Sequence, residues 1–300
     1  MTTIAAIESM FAQAGCSGTL HVVDLGTRAE IAVDADAPVV MASVFKAVVA
    51  LEFYDRVAAG ACDGAQRVDV VAGTPGPTGL SNFRDPASLS LRDLCHLMLT
   101  ISDNAATDVL TRFVGLDAVN ARAAAAGCRA TRIVSDLQTM LDNVGRDMGF
   151  ASYSELLEAQ GGKKGEAARA QGTDAACLSR LGALDPARAS ATTACDMTAF
   201  LAAVWAKSAA APDACDALIA TMRQQVTRRL EAAMPQGGWL AAKSGGLFGV
   251  MRNEIALIGY PDGKTYAVAI FTRAAKPFEG AAGINAQMGA IVDRAIRALR

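Results

Sequence analysis

The sequence predicts an α+β fold: an antiparallel sheet flanked by terminal helices, beside a mostly helical domain. Two observations carry this. Short β-rich runs stand near both ends of the chain, with a long stretch of helical spacing between them. After Pro235-Gln236-Gly237-Gly238 the apolar period then changes from helical to alternating. Strands at both ends with helices segregated from them is an α+β pattern.

Taken in order, residues 4–14 read as a helix, and residues 18–24 and 29–34 as strands. Leu25-Gly26-Thr27-Arg28 between the strands is a turn signal, so the pair predicts a hairpin. A helix should begin at Ser43, because Ser favours helix starts and an unbroken apolar pattern follows it. It fades at Ala58-Ala59-Gly60. Gly and Pro make 73–80 a loop. Ser90-Leu91-Arg92-Asp93 opens a helix running to about Ile101, the apolar pattern breaks at Ser102-Asp103-Asn104, and a second helix follows. Residues 116–127 are helical, whereas 128–150 show no clear period. Residues 161–165 read as a flexible loop and 166–190 as broken helices. Thr192-Thr193-Ala194-Cys195-Asp196 starts a helix through about Trp205, and 213–232 read as another. Leu240 to Ser244, Asn253 to Gly259 and Thr265 to Thr272 are strands, and 283–300 an amphipathic helix. Pro261-Asp262-Gly263-Lys264 turns between the last two strands.

Composition narrows the function classes. The net charge is −2 with no basic block, and aromatics are 5%, so neither phosphate binding nor base stacking is served and no nucleic acid is expected. No stretch is long and apolar enough to span a bilayer, so no membrane is expected. The N-terminus lacks a basic segment followed by a long apolar run, which predicts a cytoplasmic protein; a processed periplasmic or secreted chain would read the same. The seven cysteines are scattered without a Cys-x-x-Cys, which predicts free thiols. His21 and His96 have no companion at ligand or triad spacing, so both read as structural. No metal, cofactor or partner protein is implied.

Chemistry is carried by three short motifs. In Ser43-Val44-Phe45-Lys46 three helical residues return Lys46 to the face of Ser43. A hydroxyl needs a neighbour to take its proton, and an amine enclosed by apolar residues has its pKa lowered for that task. A helix N-terminus adds positive potential beside a developing oxyanion. Ser102-Asp103-Asn104 is a polar triplet between two helices, able either to cap the second helix or to turn into a cleft. Lys243-Ser244-Gly245 lies on a predicted strand.

These three motifs, in this order, resemble the signature of the active-site serine β-lactamases and penicillin-binding proteins, and the chain looks like a class A β-lactamase relative. The resemblance takes in Ser90-Leu91-Arg92-Asp93-Leu94-Cys95, Thr192 to Met197, and Arg252-Asn253-Glu254-Ile255-Ala256. It implies a sheet domain of residues 1–41 and 213–300, a helical domain of 42–212 with an extended insertion at about 144–190, and a site between them. It also implies roles. Ser43 is the acylated nucleophile and Lys46 accepts its proton. Ser102, held by Lys243, passes a proton to the leaving nitrogen. Asn104 binds the substrate's side-chain amide, Ser244 and Arg252 its carboxylate, and the N–H groups of Ser43 and Gly246 form the oxyanion hole. The partner implied is therefore a small molecule carrying a carboxylate.

The chain departs from that pattern in one place. Class A enzymes deacylate with a Glu on the loop after the second motif, and 131–143 contain none. By spacing Thr139 falls where the base is expected and Asn143 where its partner is; Asp136 and Asp142 are the nearest carboxylates. Glu155 or Glu158 of the insertion could return to the site, although two solvent-facing helix carboxylates are the plainer expectation. Cys95 matches a disulfide position of secreted relatives, but its partner position is Ala50. Three readings follow: a β-lactam hydrolase with slow deacylation, implying antibiotic resistance; an esterase, peptidase or acyltransferase of the same fold; and a retired enzyme that only binds ligand.

Overall fold

The computed structural model describes residues 2–70, 74–160, 178–276 and 280–300. The expected loop 161–165, the first part of the expected broken helices 166–190, Gly73 and Cys177 lie outside the described residues. The strands are β1 (Cys16–Asp24), β2 (Glu30–Val33), β3 (Val39–Val40), β4 (Arg67–Val70), β5 (Ala87–Ser90), β6 (Ala191–Thr192), β7 (Trp239–Leu247), β8 (Met251–Gly259) and β9 (Thr265–Ala274). The helices are α1 (Thr3–Gln13), α2 (Lys46–Ala58), α3 (Leu91–Thr100), α4 (Asn104–Val114), α5 (Leu116–Ala125), α6 (Leu137–Asp147), α7 (Tyr153–Gln160), α8 (Ala194–Trp205), α9 (Pro212–Met222) and α10 (Ala281–Leu299).

Five strands build one antiparallel sheet in the order β2-β1-β9-β8-β7. The predicted hairpin is there, in register Leu20↔Val33 to Val23↔Glu30. Its turn is fixed by Asp24, whose Oδ1 accepts the N–H groups of Gly26 at 2.9 Å and Thr27 at 3.0 Å. β1 then pairs with β9 from Cys16↔Ala274 to Asp24↔Tyr266, which joins the two ends of the chain in one sheet.

The strict period of two in β9 sorts the core. Tyr266, Val268 and Ile270 face one side, where they meet Ile7 and Phe11 of α1 and Met288, Ile291 and Val292 of α10. Ala267, Ala269 and Phe271 face the helical side with Ile255 and Leu257 of β8. Every residue of α2 from Lys46 to Phe53 is buried, because α3, α4, α5 and α9 all pack on it. The buried residues of α9 (Ala214, Cys215, Leu218 and Met222) belong to this helical core.

The structure departs from local expectation at four places. The helix expected over 213–232 ends at Met222, because Gln225 is drawn into a buried polar cluster and Val226 N–H bonds Thr100 O at 3.0 Å. The aperiodic 128–150 contains α6, which Asp136 caps by accepting Thr139 N–H at 2.9 Å. The small pair β4–β5 spans Arg67↔Ser90 to Val70↔Ala87 and was not visible as alternation. Ser43 lies on a short 3₁₀ turn, Ala42–Phe45, that runs directly into α2.

Among the described residues no three His, Cys, Asp or Glu side chains gather as a metal group, no helix is long and apolar enough to cross a membrane, and six cysteines are free thiols. His21 is buried between Thr198 at 2.6 Å and Glu30 at 3.3 Å, a packing role. One ion cluster ties the helices together: Arg122 bonds Glu52 at 3.0 Å, Asp55, and Ala209 O at 2.7 Å. Removing one partner of such a half-buried network strands the remaining carboxylates. Arg122→Ala should therefore lower the unfolding free energy by about 3 kcal/mol in urea titration; a change below about 0.5 kcal/mol, the range of ordinary surface substitutions, would show that the cluster is not a tie.

Candidate active site

A cleft of about 430 Å³ opens between β7, the Ser43 turn, the start of α4 and the start of α6. Ser43, Ser102, Asn104, Ser244, Gly246 and Arg252 all line it. Lys46 and Lys243 sit directly behind the lining and are 0% exposed. The structure thus brings together the three motifs from separate stretches of the chain.

Backbone strain marks three of the corners. Ala42 has φ 46°, Phe248 φ 47° and Ser102 φ 60°, conformations that cost an L-residue about 1–3 kcal/mol. Asn253 on β8 donates its side-chain amide to Val40 O at 2.9 Å and Met41 O at 3.3 Å, fixing the approach to Ser43. On β7, a Cβ at Gly245 would stand 2.9 Å from Met41 O and 3.2 Å from Ser43 N, so only glycine lets the strand and the Ser43 turn touch. This contact sets Gly246 beside Ser43, where the expected pair of oxyanion donors belongs.

The second motif divides its labour. Asp103 is fully buried and caps α4, accepting Ala106 N–H at 2.9 Å and Leu80 N–H at 2.6 Å. Ser102 and Asn104 turn toward the cleft, so the two local expectations for this triplet are each met by different residues. Lys46 Nζ donates to Ser102 O at 2.7 Å, Ser102 Oγ at 3.1 Å and Asn104 Oδ1 at 3.0 Å. Asn104 Nδ2 is also engaged, with Pro75 O at 2.8 Å. Burial first, then the nearby Lys243 charge, hold the Lys46 amine well below an ordinary lysine.

Lys243 differs from the expected arrangement. The amine that touches Ser102 is Lys46; Lys243 Nζ donates instead to Gln225 Oε1 at 3.3 Å and Ser244 O at 3.0 Å. Gln225 Oε1 also accepts Ser244 N–H at 2.7 Å, while its Nε2 donates to Glu254 Oε1 at 3.1 Å. Burial lowers Lys243 and raises Glu254, each partly offset by the other's charge. Gln225 and Arg229 were not singled out from sequence, and Asn253 and Glu254 were named only within the stretch beginning at Arg252, without a role. Gln225 lies in a stretch that reads as helix, and no local pattern signals it.

The α6 side of the cleft is mostly apolar. α6 presents Leu137, Met140 and Leu141 to the cleft. Thr139 and Asn143 line an adjoining cavity with Arg146 and Arg188, and Met140 borders both spaces. α7 brings Tyr153 to the cleft, while Glu155 and Glu158 are solvent-exposed and Glu155 bonds Ala151 N–H at 2.6 Å. Among the described lining residues Asp136 is the one carboxylate, and it is spent: Oδ1 caps α6 and Oδ2 accepts Arg112 Nε at 2.8 Å. These bonds hold Asp136 below the ordinary aspartate value in spite of its burial.

Residues 2–296 match the model of the β-lactamase enzyme family. The chain is 29% identical to the β-lactamase regulatory protein BlaB of Streptomyces cacaoi, covering 94% of this chain and 92% of that one. It superposes on a β-lactamase from Sphaerobacter thermophilus with TM-score 0.75 at 24% identity, covering 99% of this chain and 96% of the other. A point variant of PBP-A, solved as an acyl-enzyme complex with penicillin G, gives 0.73 at 19% identity, with 99% and 96% covered. At these identities the two structures show a shared fold.

If Lys46 is the base, its lowered pKa fixes the pH profile of attack by Ser43. The rate of covalent labelling of Ser43 should rise with pH through an ionisation well below the ordinary lysine value, and Lys46→Ala should reduce it about 10²–10⁴-fold. A limb at the ordinary lysine value, read by stopped-flow or mass spectrometry, would show that another group takes the proton.

Proposed function

Because the chain belongs to the β-lactamase enzyme family, we propose that this serine hydrolase opens β-lactam or related amide bonds through an acyl-enzyme that forms faster than it is hydrolysed. Neutral Lys46 takes the Ser43 proton, and Oγ bonds to the carbonyl carbon. The oxygen's new charge falls between the N–H groups of Ser43 and Gly246. Ser102, bonded to Lys46, returns the proton to the leaving nitrogen as the C–N bond breaks. Ser244 and Arg252 hold the carboxylate beside that nitrogen; the planar fork of Arg suits it.

The observation that carries slow deacylation is the apolar wall of Leu137, Met140 and Leu141. Water reaching the ester there meets no free carboxylate, which forfeits about 10²–10⁴ in rate, the usual contribution of a general base. Stopped-flow mixing with a chromogenic β-lactam should give a burst equal to the enzyme present and then slow turnover. Ser43→Ala should abolish the burst, and the peptide containing Ser43 should carry one adduct by mass spectrometry. Fast steady turnover without a burst would overturn the reading of α6.

The same wall favours a second reading, a β-lactam receptor whose long-lived acyl state is the signal; the Streptomyces cacaoi relative is named as a regulatory protein. An acyl-enzyme that persists for hours supports the receptor, and minutes-scale release supports the enzyme. For carboxylate recognition, Arg252→Ala should cost about 1.5–3 kcal/mol in kcat/KM with carboxylate substrates. Neutral analogues should lose much less; equal losses would remove Arg252 from this role.

A further inference from the structure

Arg229, which no motif contains, stands in the cleft beside Arg252. A Cβ built on Gly246 would lie 3.5 Å from Arg229 Nη2 and 3.5 Å from Arg252 Nη1, so those nitrogens are no more than twice that distance apart. Glycine leaves open space between them. Arg229 spends Nη1 on Gly245 O at 2.9 Å and Asn253 O at 2.7 Å, which aims the rest of its fork. The guanidinium of Arg252 makes no hydrogen bond or ion pair among the described residues, and the buried Nε atoms of both arginines have no partner.

Arg252 with Ser244 can take one substrate carboxylate, which leaves the unbonded Nη2 of Arg229 open to a second anion in the same cleft. We propose that Arg229 forms a second anion subsite, so that the leaving group of the natural substrate is a dicarboxylate, its first carboxylate on Arg252 and Ser244 and its second on Arg229. This rests on the serine-hydrolase reading above.

Two thioesters with the same phenylacetyl group test it, one with thioglycolate and one with mercaptosuccinate as leaving group. Ser43 Oγ bonds to the carbonyl carbon, the C–S bond breaks and the thiolate departs; water later releases phenylacetate. Both substrates give the same acyl-enzyme, so the ratio of kcat/KM, followed by loss of thioester absorbance, reports recognition of the leaving group alone. The mercaptosuccinate ester should be favoured at least about tenfold, the effect of a further charge-assisted bond. Arg229→Gln should bring the ratio to about one, and Arg229→Lys should keep part of it. On unmodified protein, succinate should protect Ser43 from labelling better than acetate, a readout that needs no variant. Equal rates for both esters with Ser43 labelled, or a preference that survives Arg229→Gln, overturn the subsite alone. No labelling of Ser43 by either ester overturns the serine-hydrolase reading, and the subsite with it.

Discussion

Two lysine amines buried at one seam are the constraint that the structure is built to meet. Lys46 begins the central helix α2, and Lys243 lies on β7 against it; both are sealed from water. An amine in that position must be bonded or neutral, since an unpaired buried charge costs several kcal/mol. The chain meets this with two polar clusters. Ser102 and Asn104 surround Lys46, while Gln225, with Glu254 behind it, holds Lys243. The same desolvation that makes the amines expensive lowers their pKa and fits Lys46 to act as a base. The cost of burial and the chemistry have one cause.

The clusters explain several features of the backbone. Ser102 adopts a left-handed conformation because Asp103 is locked on both sides, to Ala106 and Leu80, while Ser102 O must reach Lys46. α9 ends at Met222 because Gln225 serves β7 better from a loop than from a helix, where its side chain would leave Ser244 N–H unbonded. Asn253 and Gly245 press the Ser43 turn against the sheet. The site is thus assembled by the sheet–helix contact, with Ser102 held by Lys46 and the approach to Ser43 held by Asn253.

The opposite side of the cleft was built differently. α6 is anchored by polar groups at its start, where Asp108 accepts Leu137 N–H at 2.7 Å and Gln138 N–H at 2.8 Å. Its cleft-facing positions are Leu137, Met140 and Leu141. On the function proposed above, this face governs how fast water releases the acyl group, separately from the residues that form it.

The nucleophile and its amine, the polar triplet and the Lys243 strand were all legible in sequence, because each depends on local spacing: three residues on one helical face, an N-cap pattern, a period of two. The terminal strands and helices were legible for the same reason. Tertiary structure alone decided which amine meets Ser102, that Gln225 leaves its helix, that Arg229 joins Arg252 beside Gly246, and that α6 turns Leu137, Met140 and Leu141 to the cleft. Those outcomes rest on side chains far apart in the chain that share one buried space. What a lysine or glutamine bonds to there depends on every element packed around it, and no local pattern encodes that.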